Sequence, residues 1–152
     1  MINKKRFYHG GDRFIFVKEE QVKEFQDLFV ELSPGINVTS ELLARAMESQ
    51  GTHLFALIDY DGKIIGSATL CVSDLPTGRK ASVEAVVVKT TYRGQGLGKK
   101  LLVHLIDYAR TNLDYVNISL TSHPKREAAN ALYRLLGFKQ RETNVYELEV
   151  KG

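Results

Sequence analysis

"VEAVVVKTTYRGQGLGKKLL", residues 83–102, joins a Val-rich apolar run to a stretch of helical periodicity through a segment with glycine at positions 94, 96 and 98. The apolar run reads as a buried strand. After the glycines, Leu97, Leu101, Leu102, Leu105, Ile106 and Ala109 recur at the spacing of one helix face, so the order is strand, glycine turn, helix. Alternate glycines at a helix start remove the Cβ atoms that keep a ligand from the main chain. They also expose backbone N–H groups at the positive end of the helix dipole, which suits phosphate. A turn that uses glycine only for its positive φ accounts for the same residues, and the spacing alone does not separate the two readings. Two familiar phosphate loops do not fit. G-x-G-x-x-G needs glycine where Lys99 stands; the P-loop needs glycine at Arg93 and Ser or Thr at Lys100.

Working outward, "FIFV" (14–17) reads as a short strand and "KEEQVKEFQDLFVELS" (18–33) as an amphipathic helix carried by Val22, Phe25, Leu28, Phe29 and Leu32. Pro34 and Gly35 break it. Thr39 or Ser40 caps a second helix, "SELLARAMESQ", which Gly51 ends. "THLFALIDYDGKIIGSATLCVS" (52–73) holds two apolar runs around Asp61-Gly62, a hairpin signal. "YVNISLTS" (115–122) is a further strand, "REAANALYRLLGF" (126–138) a helix closed by Gly137, and "FKQRETNVYELEV" (138–150) one or two strands. The fold class is α+β or α/β, with a mixed sheet.

The 152 residues suit one domain spanning 1–152, with 43% hydrophobic and 26% charged residues, ordinary values for a globular chain. No apolar run reaches the roughly 18 residues of a membrane span, and no signal-peptide core follows the basic N-terminus, so no membrane partner is expected and the location reads as cytoplasmic. The single cysteine, Cys71, excludes an internal disulfide. The four histidines, His9, His53, His104 and His123, lack metal-ligand spacing, so no metal is expected. A net charge of +3 favours an anionic ligand, but the basic residues are interspersed with acidic ones and form no stripe, which argues against nucleic acid.

The residues Arg93, Gly96 and Gly98, within "VEAVVVKTTYRGQGLGKKLL", resemble the acetyl-CoA loop of the GNAT family of N-acetyltransferases: Arg or Gln, two residues, Gly, one residue, Gly or Ala. About 30 residues on, "REAANALYRLLGF" is similar to the second motif of that family, an Ala-rich helix with Leu-Tyr and a terminal Gly-Phe. The resemblance covers roughly residues 52–148. It implies the GNAT acyl-CoA N-acyltransferase fold, with a mostly antiparallel sheet, and acetyl-CoA as cosubstrate. It also implies a main-chain contact of Val86, Val87 and Val88 with the pantetheine arm, in the manner of an added strand. Gly94, Gln95, Gly96, Leu97, Gly98 and Lys99 would offer N–H groups to the pyrophosphate, with Arg93 and Lys99 or Lys100 adding charge. A solvated basic helix face is the other reading of the two lysines.

Acetyl transfer to an amine needs a neutral nucleophile and an acid for the departing thiolate. Tyr133 stands at the family position of that acid, where a phenol of pKa about 10 donates once it is positioned. Ring packing in a core is the competing account of this Tyr. Glu84, nine residues before Arg93, is the candidate base; a solvated strand-end Glu is its bland reading. His123, in "TSHPKRE", is the runner-up, since histidine titrates near neutrality. Members acting on peptide N-termini often place Glu where this chain has Thr121. Many members also place Asn seven residues before the Tyr to bind pantetheine, where Arg126 stands here; Asn130, one turn before Tyr133, is the substitute contact. Cys71 reads as a small core hydrophobe, and Tyr60, Tyr92, Tyr108 and Tyr115 as packing or surface residues.

The expectation is thus an acetyl-CoA-dependent N-acetyltransferase acting on an amine of a small molecule or peptide. The alternative is a non-catalytic CoA-binding sensor or interaction domain of the same fold. The acceptor carries no motif, and the resemblance allows a homodimer.

Overall fold

A computed structural model describes residues 6–9, 19–114 and 116–152. The strand expected at 14–17 and the expectation for Tyr115 lie outside these residues. The described chain forms two compact units, Met1–Leu120 and Thr121–Gly152.

In the first unit, one five-stranded sheet has the order β1 (Arg6–His9), β2 (Thr52–Ile58), β3 (Ile64–Leu75), β4 (Gly78–Val88), β5 (Asn117–Ser119). Neighbours run antiparallel except β4 and β5, which are parallel and joined through α3 (Leu97–Asn112). The mixed, mostly antiparallel sheet read from the sequence is therefore present. Helices α1 (Glu19–Leu32) and α2 (Ser40–Glu48) follow the expected spans, and Thr39 caps α2 by accepting from the Leu42 N–H. That bond satisfies one orphan donor of the helix start.

Alternation along the strands sorts the core. Leu54, Ala56, Ile64 and Val87 pack with Val22, Phe25, Leu28, Phe29 and Leu43, which places α1 and α2 on one sheet face. Leu57 and Ile65 pack with Leu97, which puts the start of α3 on the opposite face. Val83 also faces α3's side, and its strand neighbour Glu84, opposite Thr69, turns to the face of Leu54.

In the second unit, α4 (Glu127–Leu135) realises the Ala-rich helix. The segment expected as one or two strands, 138–150, forms no helix or strand, and Val145, Tyr146, Leu148 and Val150 are exposed. Its alternation gives strand propensity, but a strand is stabilised by its cross-strand neighbours, and none pairs with it among the described residues. The sequence reading also missed β1 and the two-residue turn from Leu75 to Gly78 that starts β4. Among the described residues no helix is long and apolar enough to cross a membrane.

Candidate active site

The glycine segment ends a short 3-10 turn, Thr90–Tyr92, and opens α3. Gly94 and Gly96 have φ of 77° and 72°, and a Cβ at either would meet nothing within 4 Å. Conformation, not crowding, requires glycine there. Gly96 is the N-cap of α3 and brings no capping side chain, so the N–H groups that follow it, of Leu97, Gly98 and Lys99, precede the first intrahelical bond, Lys100 N–H to Gly96 O at 3.1 Å. Lys99 and Lys100 are exposed in the first turn, which holds no acidic residue. Cations belong at the other end of a helix dipole, so this N-terminus is locally unfavourable unless an anion completes it.

β4 supplies the neighbouring wall. Its register against β3 passes from Thr69 opposite Glu84 to Ser67 opposite Val87, so Ala85 and Val86 face Ala68 alone, as a β-bulge. Ala85 has a φ of 51°, rare for a residue with a Cβ. On its other side β4 pairs with β5 only through Lys80, Ala81 and Ser82, so the edge from Val83 to Val88 carries no strand partner among the described residues. An open edge offers main-chain groups to an extended ligand. The Val88 carbonyl on this edge accepts from Arg93 Nε at 2.9 Å.

Glu84 is exposed beside the bulge. Cys71, opposite Ser82, shares its sheet face. Burial pushes the Cys71 thiol up, and the Glu84 carboxylate adds to this, so a thiolate is disfavoured there.

The sequence reading missed two acceptors that hold the turn. Glu31, in the last turn of α1, accepts through Oε2 from the Thr90 N–H at 2.5 Å and the Thr90 hydroxyl at 2.7 Å, and lies 3.9 Å from Arg93 Nη2. The Thr90 hydroxyl, first among several donors and charges, holds the Glu31 carboxyl below its ordinary range. Asp59, after β2, accepts from the Tyr92 hydroxyl at 3.1 Å, and that carboxylate pushes the phenol up. These contacts span 59 and 33 positions, so no spacing rule could have found them.

In the second unit Tyr133 is buried at 7% exposure and its ring meets Phe138 edge-on at 6.0 Å. Gly137, with φ 94°, makes that contact: Gly137 N–H donates to Arg134 O and Phe138 N–H to Tyr133 O, both at 3.0 Å. This is the Schellman closure of a helix, with its hydrophobic contact between Phe138 and Tyr133. Asn130 Nδ2 donates to the carbonyls of His123 and Pro124, at 3.1 and 3.4 Å, so its amide nitrogen holds the loop before α4. His123 Nδ1 accepts from the Lys125 N–H at 3.1 Å, so its lone pair is engaged within the loop. Arg126 is the exposed N-cap residue of α4 and Thr121 is exposed.

The acetyltransferase (GNAT) family model matches residues 15–138, most of the chain and both motif segments. The chain belongs to the GNAT family. Over 84 residues it is 38% identical to a glucosamine 6-phosphate N-acetyltransferase of Trypanosoma brucei brucei, covering 53% of this chain and 54% of that one. Over 79 residues it is 30% identical to the N-alpha-acetyltransferase RimI of Mycobacterium tuberculosis, covering 52% and 48%. The chain thus spans about half the length of the curated relatives it matches. A crystal structure of a Trypanosoma brucei acetyltransferase superposes with a TM-score of 0.73 at 25% identity, over 97% of this chain and 100% of that one. The first motif segment covers the bulged, open edge of β4 and the glycine-capped start of α3, and the second covers α4 with Tyr133.

Proposed function

We propose that residues 1–152 form one catalytic domain, an acetyl-CoA-dependent N-acetyltransferase that moves the acetyl group to an amine of a small molecule or peptide by direct attack on the thioester. The observation that carries this reading is the glycine-capped N-terminus of α3, cationic at the wrong end of its dipole, following an unpaired stretch of β4. Arg93, Lys99 and the N–H groups from Gly94 to Lys99 hold the pyrophosphate; the main chain of Val86 to Val88 holds the pantetheine arm. Glu84 takes the proton of the attacking ammonium, directly or through water, and Tyr133 protonates the departing thiolate. The disfavoured Cys71 thiolate supports direct attack over an acetyl-cysteine relay. Asn130 contributes to the cosubstrate through Oδ1, its nitrogen being engaged.

The test couples binding to turnover. Acetyl-CoA at about 100 times its Kd should stabilise the protein by roughly 2.7 kcal/mol in a thermal-shift titration. Thiol release from acetyl-CoA should then identify the acceptor among amino sugars, polyamines, aminoglycosides, amino acids and peptide N-termini. No shift at millimolar acetyl-CoA would refute the cosubstrate. A shift without thiol release on any amine would leave a binding domain in place of an enzyme.

A further inference from the structure

The turn that leads into the glycines is tied down residue by residue. Lys89 N–H donates to Ile65 O at 2.8 Å, the Thr90 N–H and hydroxyl donate to Glu31, the Tyr92 hydroxyl to Asp59, and Arg93 Nε to Val88 O. Glu31 differs from the other acceptors in holding the turn through two hydrogen bonds from one residue, Thr90, with the same oxygen facing the Arg93 guanidinium as well. It reaches from α1 to the turn that follows β4, outside both sequence motifs.

We propose that Glu31 is a positioning residue for the cosubstrate: it fixes the Thr90–Tyr92 turn and aims Arg93, so that the glycine loop and the α3 N-terminus are set before the pyrophosphate arrives. The proposal rests on the acetyl-CoA reading above. Glycine loses more conformational freedom on ordering than any other residue, so a loop with Gly94 and Gly96 is costly to order during binding and binds more tightly when its entry is already fixed. Hydrogen bonds to a charged acceptor are the stronger kind, which suits Glu31 to that task.

An opposite effect has to be weighed. A carboxylate near a pyrophosphate site repels the ligand. Here Arg93 and Lys89 both act on Glu31, and the paired Arg93 side chain is 52% exposed, so the residual repulsion is partly neutralised and screened by solvent. Anchoring is then the larger effect.

Calorimetric titration of acetyl-CoA into wild type, Glu31→Gln and Glu31→Ala tests this, together with hydrogen exchange over residues 89–98 of the ligand-free proteins. Glu31→Ala should raise Kd and the KM for acetyl-CoA about tenfold with kcat nearly unchanged, the scale of a lost hydrogen bond to a charged group. Its 89–98 amides should exchange faster. Glu31→Gln keeps an acceptor for Thr90 but loses the charge facing Arg93, so it should fall between, and it keeps the test open if the Ala variant fails to fold. A residue that only stabilised the fold would lower Tm without changing Kd well below Tm. Unchanged Kd in both variants, or tighter binding by Glu31→Gln, overturns the proposal while wild-type binding stands. Wild-type protein that binds no acetyl-CoA overturns the cosubstrate reading, and the proposal with it.

Discussion

Two glycine turns in this chain sit at opposite ends of helices and do opposite things. Before α3, Gly94 and Gly96 take positive φ and leave the first helical N–H groups without a capping side chain. After α4, Gly137 takes positive φ and directs two N–H groups onto the last carbonyls of the helix, with Phe138 packed on Tyr133. One turn exposes backbone polarity; the other consumes it. A glycine signature in a sequence therefore acquires a function only when the hydrogen bonds around it are counted, since unmet donors at a helix start attract an anion and met acceptors at a helix end do not.

The largest effect expected from this contrast is at Gly96. The Cβ of a valine there meets no atom within 4 Å, so the protein should fold, at a cost of at least about 1–2 kcal/mol for a left-handed residue with a Cβ. Its branched side chain would stand over the N–H groups of Leu97 and Gly98. Acetyl-CoA binding should disappear from a titration at millimolar ligand. Retained micromolar affinity would put the pyrophosphate elsewhere and remove the functional half of the comparison.

Tyr133 sharpens the other half. The Schellman turn uses its carbonyl and its ring, not its hydroxyl, so Tyr133→Phe should leave the turn intact. If the hydroxyl protonates the thiolate, KM for acetyl-CoA should hardly change while kcat falls about 10²-fold. Glu84→Gln should also lower kcat, but that loss should shrink as pH rises and more of the amine is neutral, whereas the Tyr133→Phe loss should not. Full kcat in Tyr133→Phe, with chemistry shown to limit the rate, would mean that water or the ammonium delivers the proton.

The parts legible in the sequence were those written in local periodicity. The apolar stripes of α1 and α3, the Asp61-Gly62 hairpin and Gly137 as a helix stop each depend on residues within a few positions, and each is present. Ala85 was not legible, because nothing in "VEAVVV" distinguishes a residue of φ 51° from a regular strand; the bulge arises from register against Thr69 and Ser67. Glu31 and Asp59 were invisible for the same reason, their partners being set by how α1 and β2 lie against the turn. The tail from 138 shows the reverse failure: its alternation is local and clear, but a strand is a property of a pair.

Gly137→Ala gives the smallest effect and the sharpest control. Nothing lies within 4 Å of the added Cβ, as at Gly96, so both alanine substitutions carry the same strain of about 1–2 kcal/mol from a left-handed φ. For a chain of this size that corresponds to a fall in Tm of roughly 2–8 °C, readable by calorimetric or fluorescence unfolding. The two substitutions then part. Gly137→Ala should leave the Kd of acetyl-CoA unchanged, because its donors already bond within the helix end, while Gly96→Ala should weaken binding at equal loss of Tm. Equal weakening in both would show that affinity follows general stability, and the distinction between an open and a closed glycine turn would no longer explain where this protein binds its cosubstrate.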